Sequence, residues 1–124
     1  MINFTEEGLH AYLAEDDGGP VVMLNLLRFA TNGGASKYSE YVRRIGASGI
    51  NERYGVELIY GGSGTSALVA EAGQEWDLVA LVRYPSRKSF VDMVRDPAYR
   101  GIEHLRSEAL IDAVLQPTSP IPVV

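Results

Sequence analysis

The chain has 124 residues, a net charge of −5 and no cysteine. At this length roughly two-thirds of the unfolded surface can be buried in one core, so the fold needs no staples. The absent cysteines exclude disulfides, thiolate metal sites and cysteine nucleophiles, and acidic charge interspersed along the chain argues against a nucleic-acid face, which needs clustered Lys and Arg.

The first stretch, FTEEGLHAYLAEDDGGP, predicts a helix with Thr5 as N-cap, acids in its first turn and Leu9, Tyr12 and Leu13 at helical spacing. Gly18, Gly19 and Pro20 stop it. Glu6, Glu7, Glu15, Asp16 and Asp17 occupy the region where a signal peptide would be basic and then apolar. No apolar run approaches the roughly 18 residues of a membrane span. A soluble, cytoplasmic protein without membrane partners is expected.

PVVMLNLLRFA, residues 20–30, reads as a buried strand that nevertheless carries Asn25 and Arg28. TNGGAS at 31–36 is a turn whose serine is placed to cap the next helix, expected over 37–53 with Tyr38, Tyr41, Val42 and Ile45 on one face. VELIYGGSGTSALVAE offers two β-rich pieces around glycines, a hairpin or one strand kinked by a bulge. WDLVALVRY, residues 76–84, is the clearest strand. Pro85 and Ser86 open a helix through Arg95, Asp96 and Pro97 break it, and a short helix follows with Tyr99, Ile102 and Leu105. Ala109 to Gln116 returns to extended structure, and 117–124 is a proline-rich tail.

Apart from the first helix, the order is β, α, β, β, α, β, which predicts an α+β fold. This is the ferredoxin-like βαββαβ arrangement, an antiparallel sheet with both main helices on one face. One domain over 1–124 is expected, with 1–19 as an N-terminal helix extension and 117–124 as an extended C-terminal tail. The second face of the sheet is also largely apolar and no segment remains to cover it. A homodimer related by a twofold axis is the economical solution.

PVVMLNLLRF, a helix opening YSEY, WDLVALVRYPSRKSF, DPAYRGIEHLR and ALIDAVL resemble, in that order, the longer members of the family called domain of unknown function 1330. The resemblance spans Pro20 to Gln116 and implies a dimeric α/β barrel, two ferredoxin-like sheets closing around a shared interior. That superfamily includes cofactor-free monooxygenases, isomerases, cyclases and haem-handling proteins. The resemblance therefore implies fold more narrowly than activity.

Sharper motifs give little. GSGTSA fits G-x-G-x-x-A, but ALVAE after it reads as strand and not as the helix a pyrophosphate needs. GGSGT misses the last glycine of the nucleophile elbow. His10 and His104 lie in different elements with no metal-ligand spacing, so neither a metal nor a cofactor is expected. Alternation places Asn25 and Arg28 on opposite faces of their strand. The functional expectation is an enzyme acting without cofactor on a small aromatic or enolisable molecule. His104 would serve as acid/base, since its side chain titrates near neutrality. Asn25 and Arg28 would polarise an oxygen, and Trp76 and Tyr84 would pack the ring. The resemblance raises the standing of His104, since YRGIEHLR aligns with a family stretch that likewise has histidine and arginine near its end, and Arg106 joins the ligand-binding set. The alternative is a dimeric module that binds a small ligand, or only assembles, without chemistry. An outward-facing His104 would favour it.

Overall fold

In the computed structural model, which describes residues 3–123, the elements run α1 (Glu6–Ala14), β1 (Val21–Phe29), α2 (Gly34–Ser48), α3 (Ile50–Tyr54), β2 (Glu57–Ser63), β3 (Leu78–Tyr84), α4 (Arg87–Arg95), α5 (Pro97–Arg100), α6 (Glu103–Ala109) and β4 (Leu110–Thr118). The strands form one antiparallel sheet in the order β2-β3-β1-β4. This α+β arrangement is ferredoxin-like.

Alternation in β1 separates the two faces of the sheet. Val21, Met23 and Leu27 are buried, whereas Val22, Leu24 and Leu26 remain partly open. Val21 and Met23 pack with Tyr84, Phe90, Val91 and Val94 under the helices, and Leu27 packs with Ala109 and Leu110. Ser86 caps α4 by accepting the Ser89 N–H at 3.1 Å, and the helix then buries Phe90, Val91, Met93 and Val94. That spacing is an amphipathic stripe facing the sheet. α1 is capped as expected, with the Gly8 N–H donating to Thr5 Oγ1 at 3.0 Å. Its Leu9 is buried, and the rings of Phe4 and Tyr12 meet Phe90 edge-on.

Several boundaries differ from expectation. Gly33 in a left-handed conformation precedes α2, so Ser36 lies inside the helix and caps nothing. The start shifts because α2 presses on the end of α6: a Cβ on Gly34 would meet the Ala109 carbonyl at 2.6 Å. Gly49, also left-handed, divides the expected helix over 37–53 into α2 and α3. The helix after Pro97 is likewise split at Gly101 and Ile102 into α5 and α6.

Of the hairpin and the bulge that the glycines left open, β2 has a bulge, but it lies before the glycines, with register shifting between Leu58 and Tyr60. ALVAE is not a strand. β3 begins opposite Ser63, so residues 65–76 have no partner to ladder with and form a loop. The alternation read for WDLVALVRY holds only from Leu78 onward. β4 extends through Pro117 and Thr118, paired to Met23 and Val22, so the tail starts later than expected. Proline is tolerated there because β4 is an edge strand. Val124, the end of the expected tail, lies outside the described residues. Among the described residues, no helix is long and apolar enough to cross a membrane.

Candidate functional site

Asn25 stands on the helix-covered face, directly opposite Ala80 on β3, which in turn pairs with Gly61 on β2. Three small or short side chains in one row leave space above the sheet. A Cβ built on Gly61 would meet nothing within 4 Å. The space is a cavity of about 320 Å³. Leu58, Leu78, Val82 and Tyr84 complete its floor, α2 roofs it with Tyr38, Tyr41 and Ile45, and Arg106 of α6 closes one side.

Its chemistry centres on Arg106, a guanidinium only 7% exposed. Burial raises the hydroxyl pKa of Tyr38, Tyr41, Tyr84 and Tyr99, and the nearby Arg106 charge pulls each partway back. The four phenols are therefore neutral donors at physiological pH. Tyr41 and Tyr99 share a hydrogen bond of 2.9 Å between their hydroxyls. Whichever accepts keeps its own proton for a third group. The Asn25 amide makes a long 3.4 Å bond to the Met23 carbonyl, leaving hydrogen-bonding capacity on its oxygen and second N–H. Among the described residues, no carboxylate, histidine, cysteine or lysine lines this cavity. A buried cation with neutral donors suits a small anion's oxygens and supplies no ordinary general base.

Of the residues singled out from sequence, Asn25, Tyr84 and Arg106 meet here. Arg28 and Trp76 do not. Arg28 sits on the opposite face, as alternation required, where Nε donates to the Glu75 carbonyl at 3.0 Å, another guanidinium nitrogen donates to the Gly73 carbonyl, and Asp112 lies 4.0 Å away. Its guanidinium stacks over the Trp76 ring at 5.4 Å. These contacts use Arg28 to hold the 64–77 loop, outside this cavity and unable to polarise an oxygen within it. Trp76 lies outside with it. Asp77 turns the chain at the end of the sheet, its carboxylate accepting the Phe29 N–H at 2.8 Å, so the ring before it leaves the strand's alternation.

His104 is exposed on α6, two residues from Arg106 and directed away from the cavity. It cannot act there as acid or base, and the expectation that it would is withdrawn. The sequence reading missed the tyrosine hydroxyls. Their signal was present in the α2 face, where Tyr38 and Tyr41 stand at positions that a plain core would fill with phenylalanine or leucine.

Arg106 also borders a second cavity of about 310 Å³ between α1 and the sheet, lined by Phe4, Leu9, Tyr12 and Leu115. Among the described residues the buried Tyr12 hydroxyl has no hydrogen-bond partner. The second space offers fewer polar groups converging on one point, so the first is the better candidate.

No family model matches the chain, and no curated protein matches it. Among solved structures, a protein of unknown function from Rhodopseudomonas palustris is 32% identical over 98% of this chain and 98% of its own, with a TM-score of 0.87. The chain belongs to the family of that protein. Two more distant likenesses are a hydroxynitrile lyase from Passiflora edulis (10% identity, 86% of this chain, 98% of that chain, TM-score 0.64) and a dimeric ferredoxin-like protein of unknown function from Thermobifida fusca (14%, 84%, 93%, 0.56). At those identities the likeness to the Passiflora and Thermobifida proteins extends to fold alone.

Proposed function

We propose that this protein is a homodimer that binds a small anionic molecule, an aromatic acid, phenolate or enolate, in the cavity between its sheet and helices. The observation that carries the reading is a nearly buried Arg106 bordering a cavity with Asn25, Tyr41 and Tyr84. Ligand pockets span roughly 300–1,000 Å³, so a cavity of about 320 Å³ suits a single ring with one charged group. Dimerisation is supported by the partly open apolar face of Leu24, Leu26, Val79 and Leu81, and by the dimeric Thermobifida neighbour of the same fold. The order of motifs from Pro20 to Gln116 supports placement among the longer members of domain of unknown function 1330, as one domain.

A second reading, an enzyme acting without cofactor on the same ligand class, draws on the Tyr41–Tyr99 hydroxyl pair, of which Tyr41 lines the cavity. The outward His104 and a lining that, among the described residues, holds no histidine, lysine or carboxylate to take up a proton favour binding. A thermal-shift series with benzoate, salicylate and phenol, against benzamide as the uncharged counterpart, tests the reading. A ligand that binds only the folded state raises the melting temperature. The anions should raise it in wild type and fail to do so in Asn25→Ala. Equal shifts from benzoate and benzamide would remove the anionic ligand class. Consumption of a bound enolisable ligand would promote the enzyme reading.

A further inference from the structure

The loop between β2 and β3 is firmly fixed at its base and apolar at its far end. The Gly64 N–H donates to the Asp77 carbonyl at 2.9 Å, and the Asp77 N–H donates to the Leu27 carbonyl at 2.8 Å. Arg28 ties the returning limb through the Gly73 and Glu75 carbonyls and the Trp76 ring. A turn is closed inside the loop, where the Glu71 N–H donates to the Gln74 side chain at 2.8 Å. Beyond these contacts Leu68 is 100% exposed and Val69 96% exposed.

Two bare aliphatic side chains on so well anchored a loop call for a surface to rest on. The side on which the loop is tied indicates which surface. Arg28 shares its face with Leu24 and Leu26, and pairs across the sheet with Asp112, two residues from Val114. Among the described residues, the buried helix side chains pack with Val21, Met23 and Tyr84 on the other face, and Val79, Leu81 and Val114 continue this one across the sheet. The loop's returning limb is therefore fastened to the uncovered apolar side, away from the protein's own cavity. Its rim carries Arg28 and Arg83 with Glu57 and Asp112, both signs together, as a face meeting its own copy requires.

We propose that residues 65–76 form an arm that seats Leu68 and Val69 on a second copy of the chain, clasping the dimer at the margin of the sheet-to-sheet interface. This rests on the homodimer reading given above, and it adds a contact made from outside the sheets. Arm and face belong to the same side of each subunit, so a twofold axis would give two equivalent clasps.

Sedimentation equilibrium over a concentration series tests it with three proteins: wild type, the double variant Leu68→Asp with Val69→Asp, and Leu26→Asp at the centre of the face. Because Leu68 and Val69 are almost wholly exposed, the double variant should fold like wild type by circular dichroism. The expected result is a wild-type dimer whose dissociation constant rises at least tenfold in the double variant. A wild-type dimer that dissociates only in Leu26→Asp, with the arm variant within twofold of wild type, overturns the arm and leaves the dimer reading standing. A wild-type monomer throughout overturns both. The chain has no cysteine, so Leu68→Cys adds an independent readout. Its thiol should react with a maleimide more slowly as protein concentration rises through the dimer transition, and a concentration-independent rate contradicts the clasp.

Discussion

The hydroxyls of Tyr41 and Tyr99 lie 2.9 Å apart, joining α2 to α5 at the roof of the cavity. Tyr99 is buried, so removing either partner leaves a hydroxyl with less to bond. Tyr41→Phe and Tyr99→Phe should each cost about 1 kcal/mol in urea unfolding. The double variant should cost less than the sum of the two, because it removes both halves of one interaction. Strict additivity would mean the pair contributes nothing as a pair.

Alkaline pH should act through the same cluster. Burial raises the pKa of Tyr41 and Tyr84 above the ordinary value of 10.0, with neighbouring tyrosines adding to it. A group with a raised folded pKa contributes stability that is complete below the unfolded pKa and is lost as pH rises through the folded one. The protein should therefore hold its stability up to about pH 10 and lose it progressively above, as the unfolded chain ionises first. Ultraviolet absorbance should show these phenols ionising together with the loss of circular dichroism. Ionisation of every tyrosine in a folded protein near pH 10 would show that the cluster is open to water.

Gly61→Phe is expected to fill the cavity without unfolding the protein. A Cβ at this position meets no atom within 4 Å, and the residue lies in the edge strand β2 without a left-handed backbone. Stability should stay within about 0.5–1 kcal/mol of wild type, while any benzoate-induced rise in melting temperature disappears. Retained ligand binding would place the site elsewhere, and the cavity beneath α1 would be next.

Arg28→Ala should separate structure from binding. The variant loses the bonds to the Gly73 and Glu75 carbonyls and the stack on Trp76, so the loop should become sensitive to limited proteolysis. About 1–3 kcal/mol of stability should go with them. Benzoate binding should persist, since Arg28 lies on the other face. Loss of binding with an intact loop would restore Arg28 to the site.

What could be read from the sequence was whatever a local period or cap encodes. The alternation of β1 gave the two faces and therefore the separation of Asn25 from Arg28. Ser86 and the Asp96–Pro97 pair marked the ends of α4. The order of elements led to the sheet topology. Features decided by distant contacts were hidden. Gly34 lies inside a helix because α6 approaches it, and ALVAE has strand-forming residues with no strand to pair with. Trp76 follows Asp77 out of the alternation because Asp77 bonds to Phe29, nearly fifty positions earlier. Strand parity separated Asn25 from Arg28, and the structure puts Asn25 and Tyr84 on the face that borders the cavity. His104 was chosen for its titration range and the resemblance of YRGIEHLR, and only the packing of α6 shows which of His104 and Arg106 turns inward.

The most direct test of the central claim is a nitrogen-15 NMR titration of the protein with benzoate, following the side-chain amide of Asn25. If the cavity holds the anion against Asn25 and Arg106, both Nδ2–H signals should move along a saturable curve, and benzamide should leave them unchanged over the same range. Asn25 signals unmoved by benzoate, while others shift, would contradict the assignment of the site.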